Sequence, residues 1–328
     1  MSSIRLADLS IFSEKELNAL AQNGIITTQH LLCVSGSRLR YILDTETVAS
    51  ALELVRKVIF KTNIVSEDDI KNPKTALSLL QQHNAEKLFL PLQYIPTFNE
   101  LFHGGLSLNS ITEIVGQSSS GKTEFCLTVA CDLLLGNYDF GCVIFDTEQK
   151  HTYILSRILE ILKKRNPEMT DTEIDDRVTN RCTILDITSS KELIENLDDM
   201  EEFIFEKNIK LLIIDSLGTL ASKEFMGKEG GIFERASALQ TEATLLKQLN
   251  EKFKVGVIVT NTLSQESEHA HLGVNWFHFV NHRLKISKIE ETKLILSVQK
   301  SAVVSNSSIS LCTDRVGLRE ISQPLEQE

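Results

Sequence analysis

The amino-acid sequence predicts an α/β protein with a mainly parallel sheet, preceded by a small all-helical N-terminal domain. Short and nearly continuous apolar runs recur from about residue 91 onward, as expected of strands that are buried on both faces. Segments with apolar residues at helical spacing lie between these runs, and this alternation is typical of parallel strands joined by right-handed crossovers. A length of 328 residues is sufficient for one large α/β domain and one small domain.

The N-terminal segment, residues 1–60, has the pattern of a helical module. Ser13 precedes Glu16 by three positions, which is the spacing of a capping box at the start of a helix. Gly24 is expected to end that helix, because glycine readily adopts the left-handed conformation found there. Apolar residues at helical spacing predict two further helices, Thr28–Val34 and Thr47–Phe60.

The domain boundaries follow from changes in composition. An acidic stretch and Pro73 interrupt the regular pattern after the helical module, so a linker is predicted over 61–90. Within this linker a short helix fits Thr75–Gln82. The core is expected to cover 91–322, and a tail at 323–328 completes the chain.

Five buried strands and two long helices are predicted within the core. The strands are 111–115, 141–146, 182–187, 209–215 and 255–260. The helices are 190–207 and 234–252. After residue 282 polar and apolar residues alternate, which indicates antiparallel strands at one edge of the sheet. These strands are Arg283–Ile289 and Lys293–Gln299.

A phosphate-binding motif lies between the first strand of the core and the helix that follows. The motif fits the pattern G-x-x-x-x-G-K-[ST] and consists of Gly116, Gln117, Ser118, Ser119, Ser120, Gly121, Lys122 and Thr123. The glycines let backbone N–H groups approach phosphate oxygens at the N-terminus of the helix. Lys122 is expected to neutralise the β- and γ-phosphates, and Thr123 to ligate Mg²⁺. The motif therefore predicts a site for a nucleotide with Mg²⁺.

Polar residues end three of the predicted strands, and these ends should meet at the same crevice as the motif. Asp215 follows four apolar residues, which suits a role in holding Mg²⁺; a helix N-cap is the alternative. Glu148 follows the second strand and could orient a water molecule against the γ-phosphate; a solvated loop carboxylate is the alternative. The residues Thr260, Asn261 and Thr262 end a further strand and could sense the γ-phosphate.

Charge and composition argue against several classes of function. The formal net charge is −11, which argues against unaided, tight binding to nucleic acid, although a local basic groove or a basic partner stays compatible with it. No apolar run approaches the roughly 18 residues that are needed to span a bilayer. The six cysteines are scattered without a C-x-x-C pair, which favours free thiols in a reducing compartment.

The order and spacing of these motifs resemble the RecA/RadA family of recombination ATPases. The helical N-terminal domain resembles the archaeal and eukaryotic branch of that family. Within this branch, Glu100–Gly105 is similar to the start of the core in eukaryotic Rad-fifty-one paralogues. Three further segments, Lys210–Phe225, Leu272–Trp276 and Val280–Leu284, are most similar to the B-type paralogue. The resemblance covers about residues 95–320.

The resemblance implies a RecA-type P-loop ATPase core that hydrolyses ATP with Mg²⁺. Glu148 falls on the catalytic glutamate of the family, Lys122 on its catalytic lysine and Asp215 on its Mg²⁺-linked aspartate. Lys300 and Ser301 match the segment that caps ATP across a subunit boundary in this family.

The resemblance also implies two DNA-facing loops, at 217–233 and 262–274. The basic residues near the first loop are Lys223, Lys228 and Arg235, and acidic residues offset their charge. The second loop carries no lysine or arginine, so it repels phosphate more than it attracts it near neutral pH. Weak binding of single-stranded DNA is therefore expected.

The chain departs from the family pattern at three positions near the nucleotide. Glu124 follows the phosphate motif where glutamine is usual, and it brings a carboxylate close to the phosphates. Thr262 replaces the usual glutamine at the end of its strand, and its shorter side chain reaches less far. Ala302 replaces the proline that usually follows the Lys–Ser segment.

The resemblance implies an ATP-binding subunit that assists homologous-recombination DNA repair in the nucleus. Paralogues of this type work in a heteromeric complex. The expected partners are therefore the C-, D- and X-type paralogues, the main recombinase and, weakly, single-stranded DNA, whereas no membrane partner is expected.

Two alternative functions stay open. The first is an autonomous strand-exchange ATPase that forms filaments on DNA; the acidic second loop and a linker without a Phe-x-x-Ala docking segment weigh against it. The second is a P-loop switch protein that does not act on DNA and whose helical module binds a protein target.

Overall fold

A computed structural model of the protein describes residues 4–34, 36–61, 88–136, 139–225, 231–263 and 270–321. The chain divides into two units, Met1–Glu86 and Lys87–Glu328. Only the two ends of the predicted linker, 61–90, are among the described residues. The helix expected over Thr75–Gln82 and the tail at 323–328 lie outside them.

The described part of the N-terminal unit is helical, as the sequence predicts. Its α-helices are α1 (Glu14–Gln22), α2 (Thr28–Cys33), α3 (Gly36–Ile42) and α4 (Val48–Lys61). The predicted capping box is present, since the Ser13 hydroxyl accepts the N–H of Glu16 and the Glu16 carboxylate accepts the N–H of Ser13. The helices pack around Leu20, Leu31 and Leu39, which are completely buried. Burial of each such leucine stabilises the fold by roughly 1.5–3 kcal/mol.

Within its described residues, the core unit contains a nine-stranded sheet and a separate two-stranded ribbon. The ribbon pairs β1 (Phe89–Leu90) with β2 (Leu106–Ser107). The strands of the main sheet are, in chain order, β3 (Ile111–Gly116), β4 (Gly141–Asp146), β5 (Cys182–Asp186), β6 (Ile209–Asp215), β7 (Gly256–Thr262), β8 (His282–Lys288), β9 (Lys293–Lys300), β10 (Ser308–Asp314) and β11 (Gly317–Glu320).

The main sheet has the strand order β11-β10-β9-β8-β3-β7-β6-β4-β5. Neighbours from β8 to β5 are parallel, whereas β9, β10 and β11 each pair antiparallel to the strand before them. This confirms the mainly parallel sheet. Every residue of β3 and β4 is buried, which explains why these strands read as nearly continuous apolar runs. Sequence reasoning predicted β8 and β9 as an antiparallel pair but missed β10 and β11.

Helices cover both faces of this sheet. They are α5 (Pro96–Leu101), α6 (Lys122–Leu135), α7 (His151–Arg165), α8 (Asp171–Arg181), α9 (Ser190–Asp198), α10 (Met200–Glu206), α11 (Leu217–Phe225), α12 (Gly231–Phe253) and α13 (Gly273–Phe279). Alternate residues of β6 enter two separate apolar clusters, one packed with α6–α8 and the other with α9–α12. None of the helices in the described ranges has both the length and the apolar character needed to cross a bilayer.

The helix expected over 190–207 is two helices in the structure. The N–H of Asp199 bonds to the carbonyl oxygens of Glu195 and Leu197, which closes α9, and α10 begins at the next residue. The apolar side chains that the sequence assigned to one face nevertheless enter the same cluster.

The DNA-facing loop expected over 217–233 is largely helical. Leu217, Leu220 and Ala221 are buried at helical spacing, so the first part of the segment forms α11 against the apolar cluster. Helix α12 begins at Gly231, and the residues between the two helices lie outside the described ranges.

The parallel pairing brings the carboxyl ends of four strands together at one edge of the sheet. In the register of β3 with β7, Gly116 lies opposite Thr262. In the register of β4 with β6, Asp146 lies opposite Asp215. The crevice outside the carboxyl ends of parallel strands is the usual ligand position in open α/β sheets.

A carboxylate on α12 is buried in the core, close to Ser190 at the start of α9 and to Glu224 on α11. The Glu242 side chain on α12 is completely buried, and neither of its oxygens has a well-formed hydrogen bond with the described residues. Burial raises the pKa of Glu242 to about 8, against the opposing effect of the Ser190 hydroxyl and with a further increase from the Glu224 carboxylate. Glu242 is therefore protonated in the folded chain at neutral pH.

This raised pKa makes the stability of the core depend on pH. Because the folded chain holds a proton that the unfolded chain loses near the ordinary pKa of 4.5, stability is highest below that value and falls as the pH rises through about 8. We expect Glu242→Gln to unfold at a higher urea concentration than the wild type above about pH 8, and to lose less stability between about pH 6 and 9. Glu251→Gln, an exposed glutamate on the same helix, is the control. Equal pH dependence in all three proteins would contradict this expectation.

Candidate nucleotide-binding site

The phosphate motif forms a tight loop between β3 and α6 that only glycine permits at two positions. A Cβ on Gly116 would lie 2.5 Å from the carbonyl oxygen of Ile286. Gly121 has a φ of 103°, and a Cβ there would lie 2.8 Å from Leu294. The loop can therefore close against β8 and β9 while its backbone stays free to approach phosphate oxygens.

The Lys122 ammonium is already positioned inside this loop. Its Nζ donates hydrogen bonds to the carbonyl oxygens of Gly116, at 3.0 Å, and Gln117, at 2.7 Å. Burial lowers the pKa of Lys122, while the carboxylates of Asp215 and Glu148 oppose that effect. The cation is thus held over the loop by the backbone that is expected to bind phosphate.

Two hydroxyl groups meet at the carboxylate of Asp215. The Thr123 hydroxyl donates to Asp215 Oδ2 at 2.5 Å, and the Thr260 hydroxyl donates to Oδ1. Burial raises the pKa of Asp215, and both hydrogen bonds oppose that increase. The backbone N–H of Thr219, in the first turn of α11, donates to Ser216 Oγ at 3.2 Å. The residue that caps α11 is therefore Ser216 and not Asp215. A carboxylate and a hydroxyl are the oxygen ligands that Mg²⁺ prefers, and this donor set fits that ion.

The Glu148 carboxylate is oriented by two neighbouring side chains, and the turn that carries it is fixed by Asp146. The Lys150 ammonium forms an ion pair with it, and the Thr219 hydroxyl donates to Oε1 at 3.0 Å. The backbone N–H groups of Glu148 and Lys150 both donate to the carboxylate of Asp146, which fixes the turn after β4. Burial raises the pKa of Glu148, but the ammonium and the hydroxyl outweigh it and leave the pKa below its ordinary value. Glu148 is therefore ionised at neutral pH.

These groups line one cavity of about 710 Å³. The lining includes the predicted residues Ser118, Ser119, Ser120, Gly121, Lys122, Thr123, Glu124, Glu148, Asp215 and Thr262. Sequence reasoning did not single out the other three lining residues, Lys150, Tyr153 and Thr219. Their proximity to Glu148 along the chain could have drawn attention to the first two, whereas Thr219 follows a different strand.

The carboxylate of Glu124 is neutralised within the same chain. The Arg157 guanidinium on α7 forms a bidentate ion pair with it, and both side chains are almost buried, at 13% and 11% exposed. Arg157 also donates to Glu160 and to the carbonyl oxygen of Asp314. The negative charge that this departure from the family pattern adds beside the phosphates is therefore compensated.

Asn261 connects the site to a buried ion pair on the neighbouring strand. Its Nδ2 donates to Glu113 Oε1 at 2.7 Å, and Glu113 pairs with Arg283 at 2.5 Å. Burial raises the pKa of Glu113, against the opposing effects of Arg283 and Asn261. The guanidinium of Arg283 also lies over the ring of Phe277 in α13, 4.5 Å from its centre. Glu113, a charged residue within the mostly apolar strand β3, was the feature of the sequence that indicated this network.

Lys300 and Ser301 do not line the cavity of their own chain. The Lys300 ammonium donates to the carbonyl oxygens of Phe277, at 2.6 Å, and Val280, at 2.7 Å, at the C-terminus of α13. The Ser301 hydroxyl is hydrogen-bonded to His282 at 3.0 Å. Their expected contact with ATP bound to a neighbouring subunit stays a prediction.

Asp146, His151 and Asp186 form a second group whose potential ligand atoms lie within 4.8 Å of one another. Both oxygens of Asp146 accept backbone N–H groups, and His151 lies 3.4 Å from Asp186 in an ion-pair geometry. Hydrogen bonds that hold the turn after β4 account for this group without a metal.

The structure describes two of the three basic residues expected to face DNA, and these two lie in different environments. Lys223 is exposed on α11, whereas Lys228 lies outside the described residues. The Arg235 guanidinium donates to the carbonyl oxygen of His271, so it joins α12 to the segment before α13. Trp276 is only 2% exposed and belongs to the apolar cluster, which excludes base stacking by this side chain in the folded chain.

Comparison with known proteins relates this site to a family. A sequence model of the Rad51 family matches residues 95–277. The human protein named "DNA repair protein RAD51 homolog 2" is 26% identical over 93% of this chain and 86% of its own length. Its counterpart of the same name in Arabidopsis thaliana is 25% identical over 90% of this chain and 88% of its own length.

A further relative matches a smaller part of the chain. The "DNA repair and recombination protein RadA" of Cenarchaeum symbiosum is 29% identical over 51% of this chain and 41% of its own length. The predicted resemblance to the RecA/RadA family and to its B-type paralogue is thereby confirmed. Since the family model covers more than half of the residues, the chain belongs to the Rad51 family.

Proposed function

We propose that this chain is an ATP-binding and slowly ATP-hydrolysing subunit of a heteromeric paralogue complex that assists homologous recombination in DNA repair. The proposal rests on the group of side chains and backbone atoms that meet at the carboxyl edge of the sheet. There the phosphate loop, the seated Lys122 and the Thr123–Asp215 pair line one cavity. The names of the relatives, which are DNA repair proteins, support the recombination role.

ATP binding follows from the groups on the cavity wall. Backbone N–H groups of residues 117–121 and the N-terminus of α6 bind the phosphates, and Lys122 neutralises their outer oxygens. Thr123 and Asp215 would hold Mg²⁺, which would neutralise negative charge on the phosphates. Glu148 orients the attacking water and accepts its proton.

The state of Glu148 supports slow hydrolysis. An ionised carboxylate that is paired with Lys150 and hydrogen-bonded to Thr219 has a pKa below its ordinary value, so Glu148 is a weak base for the water proton as long as that pairing lasts. We infer that ATP binding chiefly stabilises a conformation or a subunit interface, and that hydrolysis resets it.

The charge distribution supports weak rather than tight contact with DNA. The net charge is −11, and Arg235, one of three basic residues expected near DNA, is bound to a carbonyl group of its own chain. We therefore propose the C-, D- and X-type paralogues and the main recombinase as the partners that bring the chain to single-stranded DNA in the nucleus.

Removal of the Lys122 ammonium tests whether ATP binds at this site. We expect Lys122→Ala to bind Mg·ATP about 100-fold more weakly, because charge-assisted hydrogen bonds to phosphate contribute up to about 3 kcal/mol. Isothermal titration calorimetry on the chain with its co-purified partners measures this, and Lys163→Ala, an exposed lysine on α7, is the control. Unchanged affinity in Lys122→Ala would exclude this site for ATP.

The Glu124–Arg157 pair gives a second test of the electrostatics. Arg157→Ala leaves the carboxylate uncompensated beside the phosphates, so we expect roughly tenfold weaker ATP binding. Adding Glu124→Gln removes that charge and should restore most of the affinity. If the double variant binds as weakly as Arg157→Ala, Arg157 contributes through contact with the nucleotide and not by neutralising Glu124.

Affinity purification with mass spectrometry tests the complex. We expect a tagged chain to retain other recombinase paralogues in near-stoichiometric amounts, and Lys122→Ala to reduce that recovery, because ATP stabilises the assembly. Recovery of the chain alone as a homopolymer on DNA would favour the autonomous strand-exchange function. Equal recovery with Lys122→Ala and without nucleotide would show that ATP does not hold the complex together.

A further inference from the structure

Lys150 is a second cation on the wall of the nucleotide cavity, beside Lys122. It precedes α7 at the end of the turn after β4. Lys150 and Lys122 are the two lysines among the residues that line the cavity. The Lys122 ammonium is bound to two carbonyl groups of the phosphate loop, whereas the Lys150 ammonium is paired with Glu148.

The backbone and the side chain of Lys150 differ in their freedom to move. Its backbone N–H is fixed by the buried Asp146 carboxylate, so the base of the side chain has a set position at the cavity. The side chain itself is 49% exposed. A long, flexible and half-exposed lysine can change its partner without opening a packed region.

A triphosphate would compete with Glu148 for this ammonium. The γ-phosphate carries more negative charge than a carboxylate, and phosphoryl transfer is accelerated by cations that face the charge developing on the transferred group. The other lysine that the family pattern offers, Lys300, is bound within its own chain to two carbonyl groups at the end of α13. Lys150, in contrast, lines the same cavity as the phosphate loop of its own chain.

We propose that Lys150 contacts the γ-phosphate of bound ATP from within the same chain, and that it leaves Glu148 when it does so. The proposal rests on the ATP site described above. Glu148 keeps the hydrogen bond from the Thr219 hydroxyl, at 3.0 Å, and stays oriented after the ammonium has moved. Loss of its ion pair makes the carboxylate a stronger base, so arrival of the γ-phosphate both recruits the cation and releases the base.

The opposing interpretation is that Lys150 only restrains Glu148. The two interpretations predict opposite changes in the hydrolysis rate when Lys150 is removed. A cation that contacts the γ-phosphate favours ATP over ADP and accelerates hydrolysis, so its removal weakens ATP binding and slows the reaction. A restraint treats both nucleotides alike and holds the base back, so its removal leaves the ATP-to-ADP affinity ratio unchanged and speeds the reaction.

The test compares Lys150→Ala, Lys150→Arg and Lys163→Ala in the chain purified with its partners. Lys163 is an exposed lysine on α7 that is paired with Asp171, so it matches Lys150 in charge and in pairing but lies away from the cavity. Dissociation constants for Mg·ATP and Mg·ADP and single-turnover hydrolysis rates are measured for each variant. We expect Lys150→Ala to lose roughly tenfold in ATP affinity, none in ADP affinity and about tenfold in rate. Lys150→Arg should recover most of the ATP-to-ADP ratio, because it keeps the charge.

An unchanged ATP-to-ADP ratio, or faster hydrolysis, in Lys150→Ala overturns the proposal. Lys122→Ala separates this failure from failure of the ATP site. If Lys122→Ala loses ATP and Lys150→Ala does not, the site stands and the role of Lys150 is wrong. If the wild-type complex binds neither nucleotide, the ATP site and the role of Lys150 both fail.

Discussion

The carboxylate of Asp215 is the contact on which the geometry of the site depends. It accepts hydroxyl groups from Thr123 at the start of α6 and from Thr260 near the end of β7, so it joins three elements that are remote along the chain. A buried carboxylate is costly unless hydrogen bonds satisfy it. Because both oxygens are satisfied, the phosphate loop, β6 and β7 are held in one fixed relation before any ligand binds.

The parallel sheet makes this contact possible. Asp215 ends β6, which lies between β7 and β4, and the pairing register places Asp146 opposite Asp215. Asp146 then anchors the turn that carries Glu148. The two aspartates at the ends of adjacent strands therefore have different roles. Asp215 positions the phosphate loop, and Asp146 positions the turn that carries the proposed base Glu148.

The sequence predicted those features that each depend on a short, local signal. The phosphate motif, the strand ends at Asp215 and Glu148 and the capping box at Ser13 all follow from fixed spacings of a few residues. The partners of these groups were not predictable in the same way. Thr219 reaches Glu148, and Arg157 reaches Glu124, across distances along the chain that no periodic pattern encodes. Strands β10 and β11 were missed because the alternation of buried and exposed residues in β10 is incomplete and β11 has only four residues.

The departures from the family pattern are compensated within the chain to different degrees. Glu124 has its own counter-charge in Arg157, so the phosphate side of the cavity is electrostatically balanced. Thr262 lines the cavity with a short side chain, while its neighbour Asn261 is turned away toward the Glu113–Arg283 pair and through it to Phe277 in α13. The end of β7 thus lines the nucleotide cavity with Thr262 and is linked to α13 indirectly, through Asn261, Glu113 and Arg283. The backbone carbonyl of Thr262 also accepts the N–H of His271 at 3.0 Å, so this strand end contacts the segment before α13 whatever the length of the Thr262 side chain.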